Sequence, residues 1–271
     1  MPVASGVEQV AAVLARWRDA RLLHPAGRSF DGEVTIRGVT GAATGVPLLD
    51  RPGRYRATVR FSKGVPTPTG WPDVLGLGVR VHVPSDPTVG DRAGRAADTD
   101  GGDADADPRC GDAPGDGQRW TFDLLVSSSG AAPVLRCLPL PRRRFAGPYS
   151  TIMPLRAGRR RLWLAALPAP GSADPGDRLA QVTAVARTGA VRLVLAVASA
   201  FGPWRPFGEV RLGDSLDAAA DAALAFDPVG NLPAGLRAVG PLARLRARSY
   251  RGSRRARGAN AQSGGSTATT V

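Results

Sequence analysis

Apolar and polar residues alternate strictly over residues 55–62. Tyr55, Ala57, Val59 and Phe61 fall on one side of an extended chain, and Arg56, Thr58, Arg60 and Ser62 on the other. A period of two predicts a half-buried β-strand with Arg60 and Ser62 on a shared face. Similar runs, punctuated by Gly and Pro, predict strands over 32–37, 77–83, 120–126, 161–167, 191–198 and 209–212. Their number and spacing suit an antiparallel barrel. Helical periodicity runs over 5–19, where Val7, Val10, Ala11, Leu14 and Trp17 share a side. Further helices are predicted over 177–187, 215–225 and 241–252. The first of these three starts after Asp174-Pro-Gly-Asp177 and the next after Asp214-Ser215, both reasonable capping chemistry.

Two stretches break the pattern. Residues 85–118 hold nine aspartates and almost no large apolar side chain, which reads as a solvated acidic loop. Gly101-Gly-Asp-Ala-Asp-Ala-Asp107 has no closing bidentate Glu, so calcium is not expected there. The tail 259–271 is expected to be disordered. The remaining 1–258 is expected to form one domain, since 271 residues with 43% hydrophobic content support one sizeable core.

Cys110 and Cys137 have neither the number nor the spacing of a disulfide framework or a zinc site. They read as unpaired thiols in a reducing compartment, and with no apolar signal-peptide core the expected location is cytoplasmic. No run approaches the roughly 18 apolar residues of a membrane span. The net charge of +13 is almost all arginine, Lys63 being the only lysine. Clusters stand at 142–144, 159–161 and 244–257, but no recognised binding motif accompanies them, and a nucleic-acid partner is not expected.

Candidate chemistry stands near the C-terminus, where Arg246 precedes Tyr250 by one helical turn. A free phenol titrates near ~10, and an adjacent guanidinium favours its ionised form. A tyrosinate is a known type of axial ligand for haem iron.

Upstream runs Ala225-Phe-Asp-Pro-Val-Gly-Asn-Leu-Pro-Ala-Gly235, and downstream come Arg254, Arg255, Arg257, Gly258 and Asn260. Far earlier stand Arg21-Leu-Leu-His24-Pro-Ala-Gly27, Gly32, Val59-Arg-Phe-Ser62 and Asp73-Val-Leu-Gly-Leu-Gly-Val-Arg80, followed by Asp123-Leu124 and Val185-Ala-Arg-Thr-Gly189. In this order the motifs resemble the haem catalases, from about residue 20 to 260. The resemblance implies an α+β, mainly β fold: a catalase-like antiparallel eight-stranded β-barrel with flanking helices, binding haem b.

It further implies a role for each matching residue. Tyr250 is the expected proximal iron ligand, with Arg246 donating to its oxygen. Arg21, Arg60 and Arg257 match the arginines that hold the propionates, which suits the planar donor fork of guanidinium. His24 is the expected distal acid/base, and Ser62 matches the serine that orients its ring. His82 reads as a strand residue with no catalytic role.

Three departures stand out. The run Asp123-Leu-Leu-Val-Ser127-Ser128-Ser129-Gly130 carries serine where catalases have a distal asparagine, and Ser128 is the expected counterpart; a hydroxyl has one donor proton where the amide has two. Arg251 follows the tyrosine where proline is usual. The family's long N-terminal arm and C-terminal extensions are missing, so no particular oligomer is implied. The expected function is peroxide-dependent oxidoreduction, on hydrogen peroxide or an organic hydroperoxide, with peroxidation ahead of disproportionation. The other readings are a haem carrier or sensor with little turnover and an enzyme similar to catalase-like allene oxide synthases.

Overall fold

A computed structural model describes residues 26–64, 70–84 and 120–239. The predicted helices over 5–19 and 241–252, the acidic loop 85–118, the tail and Cys110 lie outside the described residues.

All seven predicted strands form. They are β1 (Gly27–Ile36), β2 (Gly53–Lys63), β3 (Leu75–Val83), β4 (Trp120–Ser128), β7 (Arg160–Pro168), β8 (Arg192–Ala198) and β9 (Arg205–Ser215). Three pieces too short to leave a periodic signal join them: β5 (Tyr149–Ser150), β6 (Leu155–Ala157) and β10 (Arg237–Ala238). Hydrogen-bonded neighbours follow the order β8-β7-β5-β4-β3-β2-β1-β9, and β9 pairs back onto β8. The result is a closed, antiparallel eight-stranded barrel, which leaves its eight strands without a free edge. A side sheet, β10-β6-β7, extends from one wall.

One side of the alternation fills the barrel. Phe30, Val59, Phe61, Leu77, Val79 and Leu124 are all buried in one continuous core. At its centre Phe61 meets three rings edge-on: Phe145 at 5.6 Å, Tyr149 at 6.2 Å and Phe30 at 6.4 Å between centroids. The Tyr149 hydroxyl donates to Phe145 O at 2.8 Å, and burial holds its phenol well above the usual range. Helix α1 (Pro47–Asp50) is a single turn, fastened where the Asp50 carboxylate accepts from Thr44 N and Gly45 N, each at 2.9 Å. Helix α2 (Leu179–Ala186) sits inside the predicted 177–187 and buries Val182 and Ala186 against β1 and β9. The chain entering it is fastened by Gln181, whose Oε1 accepts from Asp177 N (2.9 Å) and from the N-cap Arg178 N (3.4 Å). Helix α3 (Ala218–Ala223) is shorter than the predicted 215–225, because β9 continues to Ser215 and the cap is Asp217, whose carboxylate accepts from Ala220 N at 2.7 Å.

The side sheet carries an internal conflict. Arg237 stands opposite Arg156, and Arg156 opposite Arg161, so three guanidinium-bearing residues lie in one cross-strand row. Like charges directly opposed destabilise a sheet by up to about 1 kcal/mol per pair. Arg161→Thr should therefore raise the melting temperature by about 1–3 °C, read by circular dichroism. A lower melting temperature would show that the row is stabilised by something other than its own strands.

Candidate functional site

Because the inward positions are filled, chemistry has to be sought on the outer wall. Paired residues in an antiparallel ladder point to the same face. Across β1–β4 the outward positions form registered rows: Gly27–Ser62–Gly76–Ser127, then Ser29–Arg60–Gly78–Leu125, then Asp31–Thr58–Arg80–Asp123. Residues quoted above from four separate segments meet on this wall.

The chain from 216 to 231 is laid across it. Leu216 N bonds to Ser29 O at 2.8 Å, Asp221 of α3 is ion-paired with Arg60, and Asp123 N bonds to Asn231 O at 2.9 Å. Phe226 lies over Gly78, where a Cβ would come within 2.9 Å of its ring, so only glycine admits the contact. Arg80 crosses the same ring at 5.1 Å and donates to Ala225 O.

Asp123 anchors all of this. Its fully buried carboxylate accepts from Arg80 Nε (2.7 Å) and Arg80 Nη2 (2.6 Å), from Asp227 N (2.6 Å) and from Asn231 Nδ2 (2.9 Å). The Phe-Asp-Pro and Asn elements, the Asp-Leu element and Arg80 are thus one hydrogen-bonded unit.

Of the expected site residues, Arg60, Ser62 and Ser128 fall in the described part; Arg21, His24, Arg246, Tyr250 and Arg257 lie outside the described residues. Arg60 is mostly buried, donates to Ser29 Oγ at 3.2 Å and is engaged by the Asp221 carboxylate. It packs so closely over Gly27, three residues after His24, that a Cβ there would meet its guanidinium at 2.7 Å. Ser62 shares Arg60's face, and its hydroxyl donates to Gly76 O at 3.4 Å.

Ser128 does not share that face. It pairs with the core residue Tyr149, and its hydroxyl accepts from Leu75 N (3.0 Å) and donates to Leu140 O (2.7 Å). It is a buried strut between β3 and the chain leaving β4. Ser127 is the serine on the wall, in one row with Ser62 and Gly76. The parity was readable: Ser128 continues Phe122, Leu124 and Val126, whereas Ser127 continues Asp123 and Leu125.

His82 bonds Thr58 Oγ1 at 3.0 Å on the same wall, two rows from Arg60. Cys137 is a free thiol that burial pushes up, which disfavours the reactive thiolate. Among the described residues no cluster of His, Cys, Asp or Glu makes a metal site, and no helix is long and apolar enough to cross a membrane. A small apolar cleft opens beside the wall, between Leu125, Met153, Leu155, Val229 and Leu232.

Comparison with known proteins gives a fold. The crystal structure of a fungal catalase superposes with a TM-score of 0.50 at 12% identity, over 83% of this chain and 57% of that one. The barrel is catalase-like. A bacterial catalase gives 0.48 at 13% identity, over 90% and 59%. The chain therefore spans less than two thirds of the length of either. No protein-family model and no curated protein matches it.

A planar group bearing carboxylates suits this wall on two visible grounds. Gly76 beside Ser62 and Ser127 keeps that end of the floor low, whereas Gly78 is already covered by Phe226, and Arg60 already engages a carboxylate. The two serines should separate cleanly in stability. Ser128→Ala orphans Leu75 N and should cost roughly 1–3 kcal/mol, whereas Ser127, with no hydrogen bond of its hydroxyl among the described residues, should cost well under about 1 kcal/mol. Asp123→Ala, which strands Arg80, should cost about 3–5 kcal/mol. Urea denaturation measures all three, and equal losses for the two serines would contradict the facing described here.

Proposed function

We propose that this chain binds haem b against the outer wall of β2–β4 and uses it for peroxide-dependent oxidoreduction of the catalase and peroxidase type. The observation that carries the reading is the convergence, on one wall, of Gly27, Arg60, Ser62, Gly78 and Ser127 from segments far apart in sequence. Haem, when bound, supplies the redox chemistry. The protein's part is to hold it and to manage protons.

In this reading Tyr250 is the iron ligand, its phenolate favoured by Arg246. Arg21, Arg60 and Arg257 receive the propionates, Arg60 exchanging Asp221 for one of them. His24 would carry a proton between the two oxygens of a bound peroxide, with Ser62 orienting its ring. Ser127 takes the place that an amide holds in catalases, and its single donor proton leaves peroxide less firmly held. Oxidation of a reducing co-substrate is therefore favoured over disproportionation, in the cytoplasm. The apolar cleft beside Leu125 supports a second substrate class, organic hydroperoxides, whose hydrocarbon part it would accept.

Haem titration of the purified protein, followed by its absorption spectrum, tests the first claim. Tyr250→Phe should lose stable haem or change its axial ligand, and an unchanged spectrum would refute the assignment. His24→Ala should keep haem and lose on the order of 10²–10⁴-fold in peroxide reactivity. Ser127→Asn should raise oxygen evolution from hydrogen peroxide relative to oxidation of a chromogenic donor. Should Ser128→Asn do so instead, the wall-facing serine is not the one that meets peroxide.

A further inference from the structure

The three-arginine row of the side sheet has no carboxylate within ion-pair distance among the described residues, although Arg37, Arg60, Arg80, Arg144 and Arg192 each have one. Arg156, Arg161 and Arg237 are exposed, and with the strands about 5 Å apart their charges form a short, flat array. Exposed Arg159, in the turn between β6 and β7, adds a fourth. Arg160 is turned away, donating to Ala43 O at 2.8 Å.

The same end of the barrel displays an apolar tip. Ala198 pairs with Trp163, so the β8–β9 connection leaves the sheet beside the start of β7 and next to the arginine turn. Phe201 in that connection is 83% exposed. It is not a floppy loop residue. Arg136, itself buried, donates to Ser199 O and Gly202 O at 2.9 Å each, bracketing Phe201 in sequence, and stacks 4.3 Å over Trp204. Trp204 in turn donates to Ala131 O at 2.8 Å. A buried cation with no carboxylate partner among the described residues is thus spent on holding one exposed phenylalanine outward. Val134 and Leu135, adjoining Arg136, are exposed as well.

We infer that this end of the barrel is a docking surface for an anionic phospholipid bilayer. Phe201 and Val134 enter the headgroup boundary, while Arg156, Arg159, Arg161 and Arg237 lie on lipid phosphates. A rigid apolar tip flanked by four arginines matches the two components of peripheral membrane binding, apolar burial and attraction to anionic lipid. A single-stranded nucleic acid fits less well, because its binding surfaces rely on several stacking aromatics. The arginine row flanks the apolar cleft beside the wall, which Leu155 and Ala238 help to line, but shares no residue with the haem reading, so the inference stands whether or not haem binds there.

Vesicle co-sedimentation of the full chain tests it, comparing phosphatidylcholine alone with phosphatidylcholine mixed with phosphatidylserine, which gives the vesicles a negative surface. The parent should bind the anionic vesicles and release them at high salt. Replacing Arg156, Arg161 and Arg237 together by Ser should weaken binding on the order of 100-fold, and Phe201→Ser alone about tenfold. A control triple at exposed Arg51, Arg54 and Arg56 changes net charge equally and should cost only a few-fold. Equal losses in the two triple variants, or no preference for phosphatidylserine, overturn the inference. So does a parent that binds an oligothymidylate through the arginine row while ignoring vesicles.

Discussion

The buried carboxylate of Asp123 is the constraint on which the outer wall depends. A charge with no solvent access is tolerated only when every oxygen is bonded, and Asp123 reaches that state by drawing on Arg80, Asp227 and Asn231. Two of these partners belong to the segment laid over the wall. Satisfying one charge therefore fixes where Phe226 sits, and with it the need for glycine at 78. The pair's value lies less in net stability than in registering a long connection on a barrel that could otherwise accept it in several places. Removing either partner would cost both fold and wall.

The barrel's interior explains why a ligand site has to be sought outside it. Phe30, Phe61, Phe145 and Tyr149 fill it edge to face, and the inward positions of β3 and β4 close around them. An eight-stranded barrel is just wide enough for side chains to pack. Ligand chemistry is left to the outward rows, where small residues and a few polar ones replace branched apolar ones.

The arginines show how little composition says about use. Arg80 is neutralised by Asp123, Arg60 by Asp221, and Arg136 is held by two carbonyls and an indole, with its Nε left without a hydrogen-bond partner. Arg156, Arg161 and Arg237 instead face one another. All six contribute equally to the formal charge of +13. Only their neighbours distinguish a strut, a carboxylate receiver and a free cationic surface.

Period-two alternation by itself determined the seven longer strands and the pairing of Arg60 with Ser62 on one face, because the pleat makes facing a local property. It also held the parity that separates Ser127 from Ser128, once Ser128 is counted with Phe122, Leu124 and Val126. β5, β6 and β10 were invisible, since two or three residues carry no period and pair only because neighbouring strands are in place. The start of α3 was misplaced for a related reason: β9 stays extended to Ser215 through pairing with Phe30, which overrides the local helix-start signal at Asp214. The tertiary structure alone decided that Asp123, Arg80 and Asn231 form one unit, that Arg60 faces Asp221, and that three arginines align. Each is a contact between segments remote in sequence, set by strand register and chain crossing, and no local pattern encodes either.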